Sequence, residues 1–399
     1  MMETKIDFLS AEFRNNPYPY YQHMLADDVT FIDKGDWVDV IVTQYDHVAA
    51  LLRDPRLVRE FAREGNTWTP PENWKPYFDM IGNWMLMRDP PHHTRLRGLV
   101  NKAFTPAAVN LLQGRIQAIA HALLDEAAAR EQFDLVSEYA FELPVRVIAE
   151  MLGVPTDQRE QFKEWSNTLA AALDFNNDGA VMERAAVAAH EMTIFMRELI
   201  AAKRLNPTQD ILTGLVQAEQ DGDRLSEDEV ISTCGLLLFA GHETTVNLIG
   251  NGTFALLRHP DQLALLQRNT DLLPNAIEEI LRYESPVQAT ARTAAEDVQV
   301  GNAVLPKGRD VMIVIGAANR DPRQFAQPEQ FDITRNQAKH LAFGGGIHYC
   351  VGAPLARMEG QIGLGTLFQR FPHLALETDS PEWRDNFILR GLKALPVSI

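Results

Sequence analysis

The longest unbroken helical pattern begins at Ser226-Glu227-Asp228-Glu229, a capping box with acids in its first turn, and runs to about residue 258, before His259-Pro260. At 1.5 Å per residue this predicts a helix of roughly 45 Å. A compact chain of this length has a radius of gyration of about 21 Å, so the helix would cross the whole body. Positions 234–240 and, apart from Asn247, 246–249 are apolar, as a buried central helix should be. Its middle reads Ala240-Gly241-His242-Glu243-Thr244-Thr245, where a glycine, an acid and β-branched alcohols weaken the helical preference. Such a conflict is expected at a functional site; a glycine for close packing and a threonine bonded back to a carbonyl would also explain it.

Helical patterns surround this one. They open at Pro17 to Pro19, at 45–52, after Asp89-Pro90-Pro91, and over 105–151. Helices at 156–173 and 180–204, joined by Asn176-Asn177-Asp178-Gly179, form a pair able to move as a lid. Further helices are expected at 274–283, ended by Pro286, and at 351–371. Apolar runs at 29–31 and 37–42, joined at Lys34-Gly35-Asp36, predict a small β element, and runs at 298–300, 304–305 and 311–315 predict a second small sheet. Residues 61–78 gather Trp68, Trp74 and Tyr77 among prolines in an irregular stretch that suits a flap over a pocket or a sealed core edge. Residues 319–339 lack periodicity and read as a meandering loop. Helix dominates, and without repeats or Gly/Ser linkers the chain is expected to form one domain over 1–399, mainly α with small β-sheets (α+β).

Composition narrows the function. Hydrophobic residues make up 46 % of the 399, ample for a large core, yet no stretch reaches the roughly 18 apolar residues of a membrane span. The first 13 residues carry charges where a signal peptide would be apolar, so the protein is expected in the cytoplasm with no membrane anchor. A formal net charge of -17 disfavours nucleic acid and anionic membranes as partners and leaves small molecules or a protein with a locally matched surface. The two cysteines, Cys234 and Cys350, are too few for a disulfide framework or a four-thiolate metal site.

Candidate chemistry lies at Phe343-Gly344-Gly345-Gly346-Ile347-His348-Tyr349-Cys350-Val351-Gly352. A cysteine just before a helix meets unpaired N–H groups and the positive end of the helix dipole, which favour the metal-binding thiolate. The glycines would let a flat cofactor lie against the backbone, or simply make a turn beside an inert thiol. His93 and Arg97, four apart on one helix face, could grip an anion or form a solvated basic face. Glu279 and Arg282 form an i,i+3 pair worth only ~0.2–0.5 kcal/mol if exposed.

Together these motifs resemble the cytochrome P450 family of soluble bacterial haem-thiolate monooxygenases, over essentially the whole chain. Residues 343–352 fit the family's cysteine loop, Glu279-Ile280-Leu281-Arg282 its Glu-x-x-Arg motif, residues 331–335 the segment giving a third triad member, and residues 240–244 its oxygen-binding groove. The resemblance implies haem b as cofactor, with Cys350 as the iron's thiolate ligand, and His93, Arg97, Arg292 and His348 on the propionates; Phe343 and Gly352 would flank the ligand. It implies Glu279, Arg282 and Arg335 as a structural triad. Gly241 would leave room for O2, and Thr244 and Glu243 would relay protons. The three glycines of the loop become clearance for the porphyrin, and Cys234 is left to packing. The implied reaction is hydroxylation or epoxidation of a lipophilic small molecule by O2 and two electrons. With no flavin or nicotinamide fingerprint in the sequence, electrons would come from a ferredoxin and its NAD(P)H-dependent reductase. The donor is expected to dock at a positive patch of Arg95, Lys102, Lys339 and Arg357, on a monomer. Trp84, Leu86, Leu169, Leu173, Leu237, Ala240, Val287, Ala289 and Ile388 are the expected pocket lining. A peroxide-using or C–C/C–O coupling enzyme is the alternative, and Glu243 and Thr244 argue only against the purely peroxide-using form, since peroxide brings its own protons; a non-catalytic haem sensor would need an output domain. A Cys350/His348 thiol hydrolase lacks a suitable oxyanion arrangement.

Overall fold

The computed structural model describes residues 7–8, 10–31, 40–60, 69–172, 179–220, 222–336 and 339–399. The central helix is Glu227–Arg258, and its capping box is complete: Ser226 Oγ accepts from Glu229 N at 3.2 Å while the Glu229 carboxylate accepts from Ser226 N at 2.8 Å. It packs against the helices Glu142–Met151, Leu273–Tyr283 and Ala353–Arg370. Glycine permits the close approach: a Cβ at Gly252 would lie 3.0 Å from both Ile280 and Leu364. The weak stretch at 240–245 stays helical, because the apolar segments on either side are buried and tertiary packing outweighs propensity.

The largest sheet has the spatial order Thr30–Phe31, Val40–Val42, Asp310–Val314, Ala289–Ala294, Leu57–Val58. This departs from the expected grouping. Val298–Val300 and Ala303–Leu305 pair with each other alone, whereas Asp310–Val314 lies parallel to Val40–Val42, with Val311 opposite Val40. A parallel partner comes from far along the chain, so no local signal announces it. The Lys34-Gly35-Asp36 joint falls outside the described residues, as do 61–68 of the aromatic stretch. Its later part is not irregular: Lys75–Gly82 is a helix that buries Tyr77, Met80 and Ile81, so this portion belongs to the core rather than to a flap. The paired helices are Arg159–Ala171 and Gly179–Leu205, which pack on each other; most of their connector, from 173 to 178, lies outside the described residues.

The aperiodic stretch from 319 is held by two guanidiniums. Arg282 donates to the carbonyls of Asn319 (3.0 Å), Pro328 (2.9 Å) and Gln330 (3.1 Å), and Arg335 to those of Ala326 (2.7 Å) and Gln327 (3.2 Å). Both are fixed by Glu279, which accepts from Arg282 at 2.7 and 2.8 Å and from Arg335 at 3.2 Å. The Glu279 and Arg282 side chains are 1 % and 0 % exposed, so the pair is a buried network rather than a weak surface contact. The amide of Asn319 then accepts from Leu341 N at 2.7 Å, which carries this order into the cysteine loop.

Candidate active site

Cys350 leaves the loop just before the helix Ala353–Arg370, as its position in the sequence predicts. Its N–H donates to the Phe343 carbonyl at 3.0 Å, closing the loop. Burial pushes the thiol up; the N–H groups of Gly352 and Ala353 and the charges of Arg97 and Arg357 pull the other way without overcoming it. The helix start alone therefore does not yield a thiolate, and a metal ion's charge is what would complete the balance.

Two of the three loop glycines are required by a neighbouring segment. A Cβ at Gly346, whose φ is +63°, would lie 2.5 Å from the Leu52 carbonyl oxygen, and one at Gly345 would lie 3.3 Å from Leu52 Cβ. Their missing side chains admit the end of the helix Tyr45–Leu51, whereas a Cβ at Gly344 would meet nothing closer than the His348 carbonyl oxygen at 3.9 Å. Gly352 is the glycine beside the sulfur: its absent Cβ would sit 3.8 Å from Cys350 Sγ. At Gly241 a Cβ would lie 3.1 Å from Ile148 of the neighbouring helix, so this glycine also serves close helix packing.

Around the loop lies a cluster of basic groups short of anions. The helix His92–Ala103 presents His93 and Arg97 one turn apart; the His93 ring is buried, 4.5 Å from that of His348, and neither of its nitrogens has a hydrogen-bond partner among the described residues. Burial and Arg97 lower His93, while burial, Arg292, Arg59, His93 and Arg97 together push His348 down to about 2. Burial also lowers Arg292 to about 10.

Arg59 is the member that sequence reasoning missed. It follows the edge strand Leu57–Val58, whose register pairs Leu57 with Ala294 and Val58 with Thr293, so Arg59 falls opposite Arg292. Its guanidinium donates to Thr290 Oγ1, which also accepts from Arg292 Nη1 at 3.0 Å. Like charges facing each other across a strand pair are unfavourable unless an anion lies between them. The acid acting on both is Asp89, whose oxygens already accept from the N–H groups of Arg59 and Glu60. Among the described residues, three guanidiniums (Arg59, Arg97, Arg292) against the Asp89 carboxylate leave two formal positive charges over. Haem brings two propionates and an iron that takes a thiolate, so the residues present fit it in both charge and ligand type.

On the central helix, Thr244 Oγ1 donates to the Ala240 carbonyl at 2.7 Å, the back-bonded form. The carboxylate of Glu243 is paired with Arg384, another residue no motif signalled; their side chains are 11 % and 28 % exposed, so the pair reaches from the core toward solvent. The neighbouring His242 is buried against the Ser166 hydroxyl (2.8 Å), and desolvation with Arg384 holds it down at about 3. Cys234 is buried, with its thiol pushed far up by desolvation, as suits packing.

Of the expected pocket lining, Trp84, Leu169 and Leu237 belong to the main core, where Trp84 stacks on Phe239 at 5.4 Å. Leu86 and Ala240 are half-buried against that core. Val287, Ala289 and Ile388 come together, since Val287 bridges Leu389 and the Ile388 carbonyl accepts from Gln288 N at 2.7 Å. Leu173 falls outside the described residues. The docking patch is corrected: Arg95 is committed to Asp223 and Glu229, and Arg357 to Glu278, so two of its four charges are already neutralised.

The Cytochrome P450 family profile matches residues 36–397. Cytochrome P450 107B1 of Saccharopolyspora erythraea is 46 % identical over 393 residues, covering 96 % of this chain and 95 % of that protein. The 6-deoxyerythronolide B hydroxylase of the same organism is 40 % identical over the full length of both chains. Among solved structures, P450BioI in complex with an acyl carrier protein bearing hexadec-9Z-enoic acid superposes with a TM-score of 0.91 at 39 % identity, covering 98 % of this chain and 99 % of that one. No helix among the described residues is long and apolar enough to cross a membrane.

Proposed function

From the premise that the chain belongs to the cytochrome P450 family and is a haem monooxygenase, we propose that it hydroxylates or epoxidises a lipophilic small molecule, with electrons supplied by a ferredoxin-type partner. A relative named 6-deoxyerythronolide B hydroxylase and a solved relative in complex with an acyl carrier protein bearing hexadec-9Z-enoic acid support an extended apolar substrate, as do the apolar residues Ala289, Phe387 and Ile388. The observation that carries the reading is the buried His93 ring, without a hydrogen-bond partner among the described residues, set among Arg59, Arg97, Arg292 and His348 next to Cys350.

Bound there, haem supplies O2 activation and oxygen insertion. The chain supplies the rest. Cys350 Sγ ligates, with the Gly352 and Ala353 N–H groups directed at it, which fixes the ligand and tempers its charge. His93, Arg97, Arg292, His348 and Arg59 hold the two carboxylates and so fix the orientation of the ring. Arg384 holds Glu243 at the solvent side of the central helix; when that pair opens, Glu243 takes up a proton at its carboxylate and Thr244 holds one at Oγ1 for delivery inward. The triad of Glu279, Arg282 and Arg335 stays out of the chemistry and keeps the cysteine loop in register.

The test is an absorption spectrum of the reduced protein under carbon monoxide, followed by a lipophilic library screened for substrate-induced spectral change and product analysis. A thiolate-type band and an oxygenated product are expected. A colourless protein, or an imidazole-type band, would overturn the ligand assignment.

A further inference from the structure

Arg357, freed from the docking patch, has a more specific place. It stands on the helix that follows Cys350, and its guanidinium carbon lies 4.5 Å from the centroid of the Phe343 ring, the residue whose carbonyl accepts the Cys350 N–H. It is also one of the two positive charges acting on the Cys350 sulfur. Its ion-pair partner is Glu278, from the helix Leu273–Tyr283: Nε donates to one carboxylate oxygen at 2.6 Å and Nη2 to the other at 2.9 Å, the two-pronged geometry that fixes a guanidinium most firmly, while the uncharged Tyr349 hydroxyl adds a further hydrogen bond. His340 makes the third contact, with Nε2 3.1 Å from Glu278 while Nδ1 accepts from Ala342 N at 3.2 Å. The carboxylate is thus anchored from both sides and set directly against the cation behind the cysteine loop. Its neighbour in sequence, Glu279, serves the meander instead.

We propose that Glu278 is a positioning residue that sets the reduction potential of the haem bound at Cys350, by cancelling the charge of Arg357. This rests on Cys350 being the iron ligand. Reduction takes one electron from an external one-electron donor: the iron is reduced, the donor oxidised, and no bond or proton is exchanged. It adds one negative charge in front of the Phe343–Arg357 stack. With Arg357 paired, that charge meets a nearly neutral ion pair; with Glu278 neutralised, it meets an uncompensated cation and reduction becomes easier. Removing Arg357 instead leaves the Glu278 carboxylate facing the site, and reduction becomes harder. Arg357 and Glu278 are 30 % and 25 % exposed, so solvent screens the effect and the sign of the change in potential, rather than its size, is the diagnostic.

The experiment is a dithionite titration of the holoprotein followed by its spectrum, for wild type, Glu278→Gln, Arg357→Gln and the double variant, with carbon monoxide added at the end. The expected result is a more positive potential for E278Q, a more negative one for R357Q, and a double variant between them near wild type, all with thiolate-type carbon monoxide spectra. Changes in the same direction for both single variants would overturn the proposal, because a purely structural loss of the loop would weaken both alike. Where E278Q retains no haem, Arg357→Lys carries the test: it keeps the charge and is expected near the wild-type potential, and a value as low as that of R357Q would refute a charge effect. A wild-type spectrum without thiolate character would instead sink the assignment of Cys350, and this proposal with it.

Discussion

Glu359 lies on the helix Ala353–Arg370, which follows the cysteine loop; it is 1 % exposed, and its Oε2 has no hydrogen-bond partner among the described residues. Desolvation alone raises its carboxyl from 4.5 to about 8. Folding at neutral pH therefore requires this group to take up a proton that the unfolded chain has already released. The sign follows from the direction of the change: an acid raised in the folded state costs nothing below about pH 4.5, costs more as pH rises toward 8, and a constant amount beyond. A tenfold change in proton affinity corresponds to about 1.4 kcal/mol, so the cost is roughly 3 kcal/mol at pH 7 and roughly 5 kcal/mol above pH 8. Glu359→Gln keeps the shape and removes the proton. Thermal unfolding of variant and wild-type holoprotein should give similar midpoints near pH 4.5 and a widening advantage for the variant up to pH 8. Two curves running parallel across that window would show that the carboxyl titrates normally, and the desolvation argument would fail.

Three other outcomes follow from the geometry. Arg59→Ala removes one of three cations facing two propionates, a charge-assisted contact worth about 1.5–3 kcal/mol, so haem should pass to an acceptor apoprotein roughly 10- to 100-fold faster, with Arg59→Lys largely restored; an unchanged transfer rate would remove Arg59 from the site. Glu279→Gln leaves Arg282 buried beside an uncharged partner, and breaking such a pair costs about 3–5 kcal/mol, to be read as a lower urea midpoint with early haem loss. Thr244→Ala should retain haem and substrate binding while more of the reducing equivalents appear as peroxide, measured against product formed; tight coupling in that variant would count against a proton-relay role.

Local rules made much of this protein legible. The capping box at Ser226 and the run to Arg258 depend on contacts three and four residues apart, and Cys350 owes its place before a helix to its immediate neighbours. His93 and Arg97 were visible as a pair for the same reason, since a helix sets one above the other. Even Glu279 and Arg282 could be paired from spacing; what spacing could not supply was their burial, which changes a marginal contact into a costly one to break.

What only the tertiary structure decided is which distant surfaces meet. The sequence contains Arg59 and Arg292, but a strand register linking residues far apart in the chain makes them face each other. Arg384 finds Glu243, and Arg357 finds Glu278, in the same way. The glycines show the difference most plainly. Their freedom of backbone is a local property readable in the chain, whereas the neighbour that takes the vacated space, Leu52 at Gly346 and Ile148 at Gly241, is chosen by packing. A residue type states what a position can tolerate; the folded chain determines what is placed against it, because close packing is settled by all the elements at once.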